Sequence, residues 1–324
     1  MKVHLDTDLG GDMDDLCALA MLLRWPERLQ MTGITTVAEA QGKRAGYVKH
    51  LLGLEGRNQI PVAAGAEVSE GYYRYPELGY PDEERYWPQP IPPAPSARGE
   101  ALRLLKQSIE QEATIIGIGP FTNLYLLDLE YPGILSQAKL FLMGGHVHSI
   151  RAGYPQWGND WDWNIQVDVR SAQHVLEHAN PTLIPLTVSV ETALRRSALE
   201  ALRKAGATGQ LIARQAEAFA LDEQNELKYG ATCAGLPDDI INFQHDALAC
   251  AIALGWQEGV EISEIPLKFE LENGWLHERI DPAGKLTRVV TKIDGTRFNE
   301  FWAKTICAKR TRQRFNYRTV KHKG

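Results

Sequence analysis

The 324-residue chain is 44% hydrophobic and 23% charged, with a formal net charge of −6, a balance that excludes a disordered or low-complexity chain and allows a substantial core. No apolar run is long enough to span a bilayer, and four cysteines far apart in sequence (Cys17, Cys233, Cys250, Cys307) exclude a disulfide scaffold and read as reduced core residues of a cytoplasmic protein. The charge is uneven, because eight Lys and Arg residues from Lys304 to the end have no acid among them; without a nucleic-acid-binding module elsewhere, that basic tail does not make nucleic acid an expected partner.

In chain order, an apolar β run through Val3 and Leu5 leads into Asp6-Thr-Asp8-Leu-Gly10-Gly11-Asp12-Met-Asp14-Asp15. A helix from Asp15 to Arg24 follows, with Leu16, Leu19, Ala20 and Leu23 on its buried face, and Asp12 is the expected N-cap with Asp15 three positions on. Next come a strand over Leu29 to Val37, a helix over Gly42 to Leu54 and a strand over Ile60 to Ala64. The Pro-dense stretch from Pro76 to Pro95 reads as a long loop. A helix over Arg98 to Glu110 and strands over Thr114 to Ile118, Leu140 to Met143 and Leu183 to Val188 complete a β-α-β rhythm. That rhythm implies one open, mostly parallel α/β sheet with right-handed crossovers, whose ligand lies at the carboxyl ends of the strands.

Five carboxylates within ten residues, from Asp6 to Asp15, repel one another, and a bound cation resolves that repulsion. Oxygen donors at a strand end and a helix start suit Ca²⁺ or Mg²⁺ better than zinc. An EF-hand is excluded, since its twelfth loop position, counted from Asp6, is Cys17. A phosphatase using Asp6 or Asp8 as nucleophile stays open as an alternative, although it leaves Asp14-Asp15 unexplained. Gly117-Ile-Gly119-Pro lacks the third glycine of a dinucleotide fingerprint.

Two later stretches carry chemistry. Trp157-Gly-Asn159-Asp-Trp-Asp162-Trp-Asn164 sets amides and acids among large aromatics, a composition suited to a polyhydroxylated ring. His245-Asp246 opens an apolar helix, where Asp246 is either a cap or a third metal carboxylate and His245 either a surface imidazole or a proton donor.

Together these residues resemble the nucleoside hydrolases, the metal-dependent N-ribohydrolases. The matching pieces are Asp6-Thr-Asp8 with Asp14-Asp15, Gly33-Ile-Thr-Thr36-Val, Ile60-Pro-Val-Ala-Ala-Gly65, Gly119-Pro-Phe-Thr122-Asn, Leu142-Met-Gly-Gly145, Asp162-Trp-Asn164 followed by Asp168, and His245-Asp246-Ala. The resemblance also takes in Val289 to Trp302 as a closing strand and helix. It implies a domain over residues 1–310, a basic tail over 311–324, and an enzyme of nucleoside salvage that frees a base from a ribonucleoside. It implies one Ca²⁺ held by Asp8, Asp15, Asp246 and the Thr122 carbonyl, with Asp14 as general base and Asp162 and Asn164 on the sugar. Asn159 joins the sugar set and His245 the catalytic one. The partners implied are the nucleoside and further copies of the chain in a homodimer or homotetramer, with no membrane.

Three departures from the family pattern stand out. Gly11 to Met13 lengthen the acidic loop, so Asp12 competes with Asp14 for the role of base. Asp162 stands where a glutamate is usual. Glu39-Ala40 replaces Gly-Asn, so Glu39 is expected to take over a sugar contact, and a nucleoside-binding protein without turnover becomes a further alternative.

Overall fold

The structure, a computed structural model, describes residues 1–25, 29–67 and 83–308. The basic tail over residues 311–324 and the start of the Pro-dense loop, residues 76–82, lie outside these residues. Strands β1 (Lys2–Thr7), β2 (Gln30–Thr36), β3 (Val62–Ala64), β4 (Thr114–Gly117), β5 (Lys139–Met143) and β6 (Thr182–Ile184) are parallel neighbours in the spatial order β6-β5-β4-β1-β2-β3. Being central, β1 is buried on both faces from Val3 onward, as strands in helix-covered parallel sheets are.

Beyond β6 an antiparallel arm continues the sheet. A two-stranded piece, β7 (Leu194–Arg195) with β8 (Ile240–Asn242), stands apart from it. The arm consists of β9 (Glu261–Glu272), β10 (Trp275–Ile280) and β11 (Lys285–Lys292), with β11 parallel to β6. The β9-β10 hairpin turns on Asn273-Gly274, both at positive φ (51° and 79°), the pairing that a tight two-residue turn favours.

Most of the expected elements form. Helix α1 (Asp14–Leu23) is buried along its whole length, and α2 (Lys43–Leu54) follows β2. The expected strand over Leu183 to Val188 is corrected: it ends at Ile184, and Leu186–Ser189 is a short helix entered through Pro185. Proline has no N–H to give to a ladder, so the apolar run changes form at that residue. The N-cap of α1 is Met13, without a side-chain bond, rather than Asp12. The helix Gly206–Glu223 then packs against α1 and β8, backed by the helix Leu199–Lys204, and raises one wall above the strand ends.

Candidate active site

The acidic loop leaves β1 at Thr7, where the parallel strands end, and α1 begins at Asp14. This geometry turns the carboxylates into a cleft of about 350 Å³ whose lining includes Asp8, Asp12, Asp14, Asp15, Asp162, Asn164, His245 and Asp246. Asp14 and Asp15 come from the first turn of α1 and Asp246 from the first turn of the helix His245–Ala253, so two helix N-termini converge. One carboxylate oxygen from each of these three lies within 4.8 Å of the others. Burial and mutual charge push all three carboxyls well above the usual range, and burial raises Asp8 as well. Such a buried, all-oxygen set is electrostatically unsatisfied by itself, and a hard divalent cation fits it.

The neighbours orient the set. Thr7 Oγ1 donates to Asp15, while the Trp163 indole donates to Asp8 Oδ2 at 3.1 Å. Gly119 packs directly on Asp8, for a Cβ there would lie 2.8 Å from Asp8 Oδ1. Arg44, buried in α2, donates to the backbone carbonyls of Asp8 and Ala38 and its charge opposes the rise at Asp8. Sequence reasoning missed this arginine, since a lone basic residue in a helix gives no sign that it turns inward.

Of the two residues expected on the sugar, Asn164 donates through Nδ2 to the carbonyls of Ile118 and Met143, each at 3.2 Å, bridging the ends of β4 and β5. Asp162 caps the following turn by accepting from Ile165 N at 3.1 Å, and it also accepts from Gly145 N. Its carboxyl is pushed up to about 6 by burial. His245 holds Ser189 Oγ through Nδ1 at 2.8 Å, and burial lowers its ring to about 4, so it is a neutral imidazole at pH 7.

Two expected site residues are placed elsewhere. Glu39 accepts from Thr36 Oγ1 (2.5 Å) and from the N–H groups of Ala40, Arg44 and Ala45. It therefore caps the start of α2 instead of reaching a sugar, and exposed Ala40 does not line the cleft either. Asn159 gives its amide to Leu276 O (3.0 Å) and the His277 ring (3.2 Å), so the arm holds it away from the cleft. Thr122, expected to contribute its backbone carbonyl, opens the helix Thr122–Glu130, and its hydroxyl is turned aside to donate to Asp168 at 2.7 Å. Asp6 is also outside the cleft, with Oδ1 accepting from both Thr35 Oγ1 (2.5 Å) and Asn123 Nδ2 (2.8 Å). That occupied, buried position argues against Asp6 as a phosphatase nucleophile.

Behind Asp162 lies Glu278 of β10, a residue that sequence reasoning did not single out. Its Oε2 accepts from His146 N at 3.1 Å, and its buried Oε1 has no hydrogen-bond partner. Burial first, then the Asp162 charge, pushes this carboxyl from 4.5 up to about 8. Its proton is held more tightly folded than unfolded, so the stability it contributes is complete below pH 4.5 and is lost as pH rises through about 8. Glu278→Gln is expected to flatten this decline and to melt several degrees above wild type at pH 9, while matching it near pH 5. Thermal unfolding at the two pH values checks this, and parallel pH profiles for the two proteins would refute it.

Comparison with known proteins adds the family. Residues 3–300 match the family model described as inosine-uridine preferring nucleoside hydrolase. The chain is 29% identical over 304 residues to the pyrimidine-specific ribonucleoside hydrolase RihA of Citrobacter koseri, covering 91% of this chain and 88% of that one. Its fold is shared with the purine-preferring ribonucleoside hydrolase of Gardnerella vaginalis (TM-score 0.78, 20% identity, 95% of this chain and 98% of that one). It is shared equally with a plant nucleoside hydrolase, PpNRh1 (TM-score 0.75, 18% identity, 95% and 99% covered).

Proposed function

The chain belongs to the inosine-uridine preferring nucleoside hydrolase family, metal-dependent enzymes that cleave the N-glycosidic bond of ribonucleosides, and we propose that its cleft does so with Ca²⁺ and an aspartate base. The observation that carries this reading is the convergence of Asp14, Asp15 and Asp246 within 4.8 Å on the floor of the cleft. Asp8, Asp15, Asp246 and the Thr122 carbonyl are the proposed Ca²⁺ ligands, all of them hard oxygens. When bound, the ion supplies positive charge that offsets the carboxylates and acidifies water at the site.

The residues then divide the work. Asp14 takes the proton of the attacking water, and the other carboxylates favour the positive charge that grows on the sugar as the glycosidic bond stretches. Asn164 and Asp162 hold the ribose hydroxyls; their anchoring to the ends of β4 and β5 fixes the anomeric carbon beside Asp14. His245, held at Nδ1 by Ser189, faces the leaving base as a hydrogen-bond partner. With the family reading go a single domain over residues 1–310, a cytoplasmic setting in nucleoside salvage and a homodimer or homotetramer, which sedimentation of the purified protein tests.

Among the described residues no helix is long and apolar enough to cross a membrane. A panel of nucleosides and phosphorylated sugars, assayed for released ribose and for phosphate, tests the reaction. Ribose without phosphate is expected. Phosphate release with nucleosides left intact would return the assignment to an aspartate phosphatase.

A further inference from the structure

We propose that the preferred substrate is a ribonucleoside whose base is a permanently cationic heteroaromatic ring joined to ribose through its charged nitrogen, an N-ribosyl pyridinium. The inference rests on the N-ribosyl hydrolase reading above and concerns the wall of the cleft that starts at His245. Phe243 stacks on the His245 ring at 5.4 Å and 19°. Trp157 meets Phe243 edge-on at 5.0 Å, and Tyr229 meets both Trp157 and Phe243 edge-on. Trp161 lies parallel on Trp157 at 5.0 Å and 4°, yet is 55% exposed. An indole left open on a cleft lip, backed by a second indole, offers a π surface for a planar ligand.

The charged groups around these rings are, apart from Arg44, carboxylates. Asp12 and Glu223 add carboxylates to the lining, and Glu223 shares one oxygen with the exposed Lys228 at 3.2 Å. Among the described residues the only Lys or Arg in the cleft lining is Arg44, which donates to the carbonyls of Asp8 and Ala38. Two asparagine amides each give an N–H to the protein, Asn225 Nδ2 to Ile241 O at 2.9 Å and Asn242 Nδ2 to Asp12 Oδ1 at 2.5 Å. A neutral uracil or hypoxanthine presents carbonyl oxygens that need donors. Aromatic faces beside carboxylates instead favour a flat cation, by about tenfold or more where water is excluded.

The chemistry fits the same class. As the bond from the anomeric carbon to the ring nitrogen breaks, its electron pair passes to that nitrogen and cancels the positive charge. The base leaves neutral and needs no proton; the water oxygen bonds to the anomeric carbon, and the water proton goes to Asp14.

The test compares kcat/KM of the Ca²⁺-loaded protein for nicotinamide riboside with that for uridine and inosine. A preference of at least about tenfold for the pyridinium is expected, reduced severalfold in both Glu223→Gln and Trp161→Ala. Equal or better use of the neutral nucleosides overturns the inference and leaves the hydrolase reading intact. If no nucleoside is cleaved, the hydrolase reading fails, and the inference is then decided by binding. Tryptophan fluorescence should report tighter binding of 1-methylnicotinamide, a pyridinium cation methylated on its ring nitrogen, than of uncharged nicotinamide, weakened by Glu223→Gln. Equal binding of the two overturns it.

Discussion

Asp14→Asn is expected to lower kcat by at least about 10²-fold while the protein keeps about one divalent ion per chain, the size of effect that follows when general-base help alone is removed. The substitution preserves the shape of a buried side chain in the first turn of α1 and takes away only its ability to accept a proton. KM should change little, because the proposed sugar contacts come from Asp162 and Asn164. Single-turnover kinetics beside metal analysis separates the alternatives. Asp14 also lies in the 4.8 Å group, so loss of the ion together with activity would move it from base to ligand. Asp12 is the competitor created by the longer loop, and its Oδ1 is already engaged by Asn242. A full loss in Asp12→Asn with an active Asp14→Asn would transfer the role to Asp12.

Asp246→Asn is expected to abolish activity and to remove the thermal response to Ca²⁺. Unit charges about 5 Å apart repel by about 3 kcal/mol at an effective dielectric near 20, so three buried carboxylates stabilise the fold fully only with a cation among them. At Ca²⁺ about 100-fold above its dissociation constant, binding adds about 2.7 kcal/mol, which for a chain of this size raises the wild-type Tm by about 5 °C. The variant should show almost no shift, and without Ca²⁺ it should melt no lower than metal-free wild type, having one charge fewer to bury. A full Ca²⁺ shift in Asp246→Asn would remove Asp246 from the ligand set.

The sheet was legible because its signals are local. The apolar runs of β1, β4 and β5, the carboxylates after β1 and the polar strand ends all lie in short stretches of sequence, and the parallel order follows from the alternation of strands and helices. The acidic floor was legible for the same reason. What escaped was set by distant contacts. Glu39 looked like a site residue because it follows the Thr35-Thr36 strand end, but the backbone passes through positive φ at Ala38 and Gln41 and turns the carboxylate onto the first N–H groups of α2. Asn159 was drawn off by β10, a strand 116 positions away at its start, whose hairpin signal at Asn273-Gly274 had gone unread. Arg44 and Glu278 carry no motif, and only burial beside Asp8 and Asp162 reveals them.

Release of ribose from a nucleoside substrate by chelator-treated protein, titrated back with Ca²⁺, tests the central claim most directly. The account predicts loss of activity on chelation and full recovery at about one equivalent of Ca²⁺ per chain. Undiminished cleavage in excess chelator, or recovery with zinc and not with Ca²⁺, would contradict it.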